Sequence, residues 1–177
     1  MIESCLRNDK AAQKLLYDRF APKMYAVCLR YASKRVEADD ILQESFIKIF
    51  HHLPHFRFDG SFEGWIRKIV ARVAIDHIQK YASRWEELDE YTSEDYSIVP
   101  DEAISNLSVQ ELQSMIQELP EGKRMVFNLY AFEGYSHKEI AEMLGISVMT
   151  SKAQYSKAKK MLQDKLLNVN KMRYEYK

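Results

Sequence analysis

The sequence predicts an all-α chain: two small helical domains joined by an acidic linker. Three observations predict it. Glycine and proline are scarce, 5 and 4 in 177 residues, which disfavours a sandwich or barrel with its many turns. Apolar residues recur at the 3.6-residue helical period through most of the chain. Between two such stretches lies an aperiodic one, where Glu86, Glu87, Asp89, Glu90, Glu94, Asp95, Asp101, Glu102 and Glu111 are interrupted by no Lys or Arg. The expected domains are residues 1–82 and 106–177, with residues 83–105 as linker.

The elements follow in order. Ala12, Leu15, Leu16 and Phe20 repeat at helical spacing. Pro22 is expected to open a second helix at a first-turn position, carrying Met24, Val27, Cys28 and Tyr31. A third helix places Ala38, Ile41, Leu42, Ser45, Phe46 and Ile49 on one face and must end before Pro54, because the residue preceding proline avoids the α region. Pro54 to Gly60 reads as a loop, and Ser61 can cap a fourth helix with Phe62, Trp65, Ile66, Ile69, Val70, Val73 and Ile78 in register. These four helices make the first domain. In the linker, Tyr91 to Ser97 has no face to bury and Pro100 opposes a continuous helix, so a flexible connection is expected.

The second domain opens with Val109, Leu112, Met115, Ile116 and Leu119 on a helix stopped by Pro120. Arg124 to Phe132 make the next, closed at Gly134. Ser136 and Glu139 match a capping box, in which each side chain satisfies the other's backbone donor. Ile140, Ala141 and Leu144 follow, then the turn Gly145-Ile146-Ser147. Ser147 caps a last long helix whose buried face is expected to be Val148, Ser151, Tyr155, Ala158 and Leu162.

The formal net charge is zero, unusual for a nucleic-acid binder, but the sum hides an acidic linker and a basic remainder. Lys152, Lys157, Lys159 and Lys160 form a stretch without an acid, and such asymmetry carries the electrostatic information. With 46% apolar and 29% charged residues the chain suits a soluble globular protein. The first ten residues hold acids and no apolar core, so no secretory signal is expected. No apolar run is long enough for a bilayer, which makes a cytoplasmic protein the expectation. Two cysteines, Cys5 and Cys28, are too few for a disulfide framework and are spaced like core residues. His51 and His55 have the spacing of helical zinc ligands, but Pro54 lies between them and no third ligand is near. With no phosphate loop and no nucleophile motif, neither enzyme activity nor a metal or cofactor is expected.

Three constellations carry function. Ser136 to Leu162 reads as a helix-turn-helix, with Gly145 supplying the positive φ that ends its first helix. Its second helix would enter a major groove with Ser147, Thr150, Lys152, Ala153, Ser156, Lys157 and Lys160 toward DNA. Such geometry is also an ordinary helical corner, but the capping box, glycine turn and acid-free basic face occur together. The second constellation is Asp39, Asp40, Gln43 and Glu44, a polar face over buried Ile41, Leu42 and Phe46, unspecific alone. The third pairs aromatics with positive charge, the way proteins hold unpaired bases. Phe56, Arg57, Phe58, Asp59 and Ser61 lie in or beside a loop, followed by Lys68, Arg72, Lys80 and Arg84, spaced to track a phosphate backbone. For Phe62 and Trp65, in helical register, burial is the expectation.

In this order the pieces resemble the extracytoplasmic-function (group 4) sigma factors. The resemblance spans nearly the whole chain. It rests on Ala38 to Phe46, on Phe62-Glu63-Gly64-Trp65-Ile66, on Ala74-Ile75-Asp76, and on Leu119-Pro120 followed by Glu133 to Ala141. It implies a sigma region 2-like first domain, a region 4-like second domain, and promoter DNA and core RNA polymerase (β′ clamp helices and β flap) as partners. It implies that Asp39, Asp40, Gln43 and Glu44 dock on the β′ clamp helices. By the same resemblance, the loop Phe56 to Ser61 captures a flipped base of the −10 element and the helix from Val148 reads the −35 element. Whether an anti-sigma partner exists is left open. The chain departs from the family pattern at Arg72, Gln79, Tyr130 and Met149-Thr150-Ser151, which leaves promoter preference open. A stand-alone helix-turn-helix regulator, binding duplex DNA as a dimer, is the alternative.

Overall fold

The computed structural model describes residues 1–81 and 108–175, with side chains for residues 1–79 and 108–169. The predicted linker lies outside the described residues, as do Arg84 and the side chain of Lys80. The chain divides into two compact units, Met1–Ser83 and Arg84–Lys177. No strand occurs among the described residues.

In the first unit, helix α1 (Ile2–Leu6) is a short turn ahead of α2 (Lys10–Tyr31). The Asp9 carboxylate caps α2, accepting from the Ala11 N–H at 2.9 Å. Pro22 does not open a new helix: it sits inside α2, which runs unbroken for 22 residues. A proline interior to a helix removes one hydrogen bond and costs on the order of 3 kcal/mol. The apolar face is continuous across it, however: Leu16, Phe20, Met24, Val27, Cys28 and Tyr31 are all buried. Each fully buried large side chain contributes roughly 1.5–3 kcal/mol, so packing outweighs the lost bond. Leu15, on the same predicted repeat, is exposed.

Helix α3 (Arg35–His52) begins where the Glu37 carboxylate accepts from the Ser33 N–H at 2.7 Å. It buries Ala38, Ile41, Leu42, Ser45, Phe46 and Ile49 as the periodicity predicted. The Ser45 hydroxyl donates to the Ile41 carbonyl at 2.6 Å, so burial leaves it satisfied. Pro54 then falls in a single 3₁₀ turn, Leu53–His55, pinned by buried Leu53. Ser61 starts α4 (Phe62–Tyr81) by accepting the Gly64 N–H at 3.3 Å. Helices α2, α3 and α4 pack pairwise around one core, to which α4 adds Ile66, Val70, Val73, Ala74, Ile75 and Ile78.

The second unit runs through α5 (Val109–Gln117), α6 (Glu121–Ala131), α7 (His137–Leu144) and α8 (Val148–Glu175). Ser108 and Glu111 form a capping box at α5, with Ser108 N–H to Glu111 at 2.8 Å and Glu111 N–H to Ser108 at 3.2 Å. Helix α6 starts at Glu121, three residues before the predicted Arg124, because Pro120 immediately precedes its first turn as well as ending α5. Arg124 is buried inside it and donates to the Gln117 carbonyl at 2.8 Å, tying α6 to the end of α5. Met115, Ile116 and Leu119 pack against Ala158, Leu162 and Leu166 of α8.

Candidate nucleic-acid and polymerase interfaces

On α3 the polar face stands over the core as the sequence placed it. Asp39, Asp40 and Gln43 are exposed and Glu44 is half-buried. The Tyr25 hydroxyl lies near the Asp39 carboxylate, and its pKa is raised, first by desolvation and then by that carboxylate. Two residues the sequence reading missed share this face. Val36 and Ile47 are 69% and 70% exposed, and the spacing 36, 40, 43, 47 puts them in line with Asp40 and Gln43 on a straight helix. The only sequence signal was two large apolar residues off the buried repeat. Behind the face, Lys48 Nζ lies 3.0 Å from Glu44 and 3.7 Å from Asp76 of α4, whose other oxygen is 3.4 Å from Arg72 Nε.

The loop before α4 forms a pocket of about 430 Å³ whose walls include Phe56, Arg57, Asp59, Ser61, Trp65 and Lys68. Phe56 is half-buried, its ring 5.0 Å from Phe62 and 5.3 Å from Trp65. Phe58 is 64% exposed and has φ 60°, a conformation uncommon outside glycine and the short polar residues. Phe62 and Trp65 were expected in the core; both are half-buried. They stack on each other at 5.7 Å, and Phe62 meets Phe20 edge-on at 5.5 Å, so one side joins the core while Trp65 also faces the pocket. Lys68 lines the pocket, whereas Arg72, one turn on, is exposed and pairs with Asp76.

The helix-turn-helix is built from caps. The Ser136 N–H donates to Glu139 at 2.8 Å and the Glu139 N–H to Ser136 Oγ at 3.3 Å. Gly145 takes φ 68° and ψ 32°, and the Ile146 N–H reaches back to the Ala141 carbonyl at 3.1 Å, closing α7. Ser147 Oγ accepts the Thr150 N–H at 2.9 Å and lies 2.8 Å from Thr150 Oγ1. Lys152 and Lys160 are exposed, and Thr150, Ser156 and Lys157 are half-buried.

Two expectations on α8 are corrected. Ala153 is only 6% exposed and so is not on a free face; a single methyl cannot reach beyond the longer side chains one turn away, Met149 and Lys157. Val148 was assigned to the buried face but is 41% exposed. As the first residue of α8 it precedes the seam, which starts at Ser151.

His51, His52 and His55 have ring centroids 5.2 and 6.2 Å apart in sequence order. Among the described residues no group of three or more His, Cys, Asp or Glu is arranged to hold a metal ion. Cys5 and Cys28 are free and buried, and burial pushes the Cys28 thiol up to about 12. No described helix is long and apolar enough to cross a membrane.

Residues 16–84 match the family model for sigma-70 region 2, and residues 109–162 match that for sigma-70 region 4. The RNA polymerase sigma-H factor of Pseudomonas aeruginosa is 30% identical, covering 94% of this chain and 92% of that protein. The ECF RNA polymerase sigma factor SigW of Bacillus subtilis is 27% identical over 93% and 94% of the two chains. The chain belongs to the extracytoplasmic-function sigma-70 family. As a sigma factor it directs RNA polymerase to promoters. Region 2 spans the polar face of α3, the loop pocket and α4, and region 4 spans the helix-turn-helix. Both regions in one chain displace the stand-alone regulator, in which the first unit would have been a sensor or dimerisation unit. The sigma factor RpoE of Bartonella quintana, solved in complex with the anti-sigma factor NepR, has the same fold. It aligns with TM-score 0.53 at 20% identity, covering 88% of this chain and 96% of that one.

Proposed function

We propose that this sigma factor opens promoters by dividing three tasks among the surfaces described. The α3 face, Asp39, Asp40, Gln43 and Glu44 with Val36 and Ile47 at its ends, docks on the β′ clamp helices of core polymerase. The acids supply charge complementarity, and the exposed aliphatics supply apolar area at no cost to the core. The pocket above Phe56 and Trp65 receives a base flipped from the −10 element, with Arg57, Lys68 and Arg72 beside its backbone and Lys80 further along α4. Trapping an extruded base makes the open strand the lower-energy state, so melting follows from binding. The start of α8 reads the −35 element through Thr150, Lys152, Ser156 and Lys157, while Lys160 meets phosphate and Ser147 caps the helix. The β flap is the polymerase element that meets the second unit. An anti-sigma factor, if one exists, would act by covering the α3 face or the DNA-facing surfaces.

The observation that carries this reading is the pocket: an open cavity of about 430 Å³ with Phe56, Trp65, Arg57 and Lys68 among its walls. In vitro transcription with core polymerase on a promoter library tests it. Exchange of the loop 56–61 for that of a relative is expected to change −10 preference and leave −35 preference alone. Retained transcription with unchanged preference at every −10 position overturns it.

A further inference from the structure

Side chains from three helices of the second unit meet at His137, the first residue of α7. Its ring lies flat on that of Tyr130 from α6, with centroids 4.4 Å apart and planes 16° apart. Tyr155 of α8 closes the group, 4.5 Å from Tyr130 and 5.8 Å from His137. His137 Nδ1 is 2.9 Å from Ser151 Oγ, and Ser151 is fully buried.

Elsewhere α7 is held by the buried apolar residues Ile140, Ala141 and Leu144. Apolar packing resists separation but is non-directional; a hydrogen bond fails when its angle or length is wrong. Ser151 immediately precedes Lys152 on α8. A rotation of α8 large enough to redirect Lys152 would carry Ser151 Oγ away from the imidazole and strand a buried hydroxyl, which is costly.

We infer that His137 is a positioning residue of the promoter reader. By holding Ser151 from the start of α7, its ring fixed by Tyr130 and Tyr155, it sets the rotation of α8 and hence which base edges Lys152 and Ser156 face. The inference rests on the proposed reading of the −35 element by α8. His137 itself touches no base.

The surroundings favour the neutral ring. The groups the structure sets against it are Tyr130 from α6 and Ser151, Lys152 and Tyr155 from α8; its neighbours at the start of α7 are Ser136, Lys138 and Glu139. The Glu139 carboxylate is engaged by the Ser136 N–H and hydroxyl. Desolvation and then Lys152 lower the His137 pKa. In the neutral ring either partner can donate across the Ser151 contact; in the cation only the ring can.

The test uses the full chain with core polymerase on a library randomised in the −35 element, with thermal unfolding measured in parallel. His137→Phe keeps a ring against Tyr130 and loses the nitrogen. His137→Asn retains a polar atom near the Nδ1 position, and Ser151→Ala removes one oxygen. The Phe and Ala variants are expected to reduce discrimination against single −35 mismatches by about fivefold, the worth of one net hydrogen bond. They should do so with the same altered pattern, no further in the double mutant than in either single one, while the Asn variant recovers most of it. Ser151→Ala alone carries the test should His137→Phe fail to fold. A uniform loss across all promoters, or an unchanged preference, overturns the inference when Lys152→Ala does shift preference. If Lys152→Ala also leaves preference unchanged, the reading of −35 bases by α8 fails, and the positioning role with it.

Discussion

His137 has a lowered pKa, first through desolvation and then through Lys152. A base whose folded value lies below its free value of about 6.5 stabilises the fold fully above that pH, and the contribution is lost as pH falls toward the folded value. Thermal unfolding of wild type and His137→Asn between pH 8 and 5 should therefore diverge. The wild type loses more stability on acidification, and parallel curves would remove the effect. At Cys28 burial holds the thiol near 12, so it should resist alkylation in the folded protein and react only on unfolding; rapid modification under native conditions would contradict its burial. Ala153 makes the opposite point to Lys152: its type and spacing resembled its neighbours', but exposure is a property of what surrounds a methyl. Tyr130 and Ser151, two departures from the family pattern, meet at His137, a pairing no local motif encodes.

Helix α2 shows how an element overrides a residue. Pro22→Ala should restore one hydrogen bond within an unbroken helix and raise stability by roughly 1–3 kcal/mol in urea titration. A loss of stability would mean that the proline is compatible with its site and restricts the unfolded chain instead. On α3, Asp40→Lys and Ile47→Ser alter exposed side chains. Each should leave stability within about 0.5 kcal/mol while weakening affinity for core polymerase, measured by competition with another sigma factor. Unchanged affinity for both would take this face out of the interface. Between α3 and α4, the links Glu44–Lys48 and Lys48–Asp76 join part-exposed groups, so Lys48→Met is expected to cost less than about 1 kcal/mol. At Arg124 the partner is a backbone carbonyl and the side chain is buried. Arg124→Ala should cost on the order of 1.5–3 kcal/mol, because a charge-assisted bond between α6 and the end of α5 is lost.

At the scale of the whole molecule, a chain with zero formal net charge must hold DNA with a local surface rather than with its sum. Lys160→Ala, if that side chain meets phosphate, should weaken all promoters alike and lower the salt slope by about one unit. Lys152→Ala should instead relax one or two −35 base pairs by roughly 1–3 kcal/mol each. Affinity series at two salt concentrations separate the two, and identical behaviour of both variants would leave only diffuse charge.

The sequence by itself determined the all-helical class, the buried face of α3, the capping box at Ser136 and the stop at Gly145. These depend on residues three or four apart, where a helix imposes its own period and orphaned backbone groups call for particular side chains. It also determined the family, through motifs in order. Only the tertiary structure decided that α2 runs through Pro22, that Phe62 and Trp65 are half-buried with Trp65 lining a pocket, that Val36 and Ile47 stay exposed, and that Ser151 finds His137. Each of those outcomes depends on what a second or third helix brings against the residue. Burial and directional bonding between elements are set by packing, for which no short-range spacing is a sufficient cue.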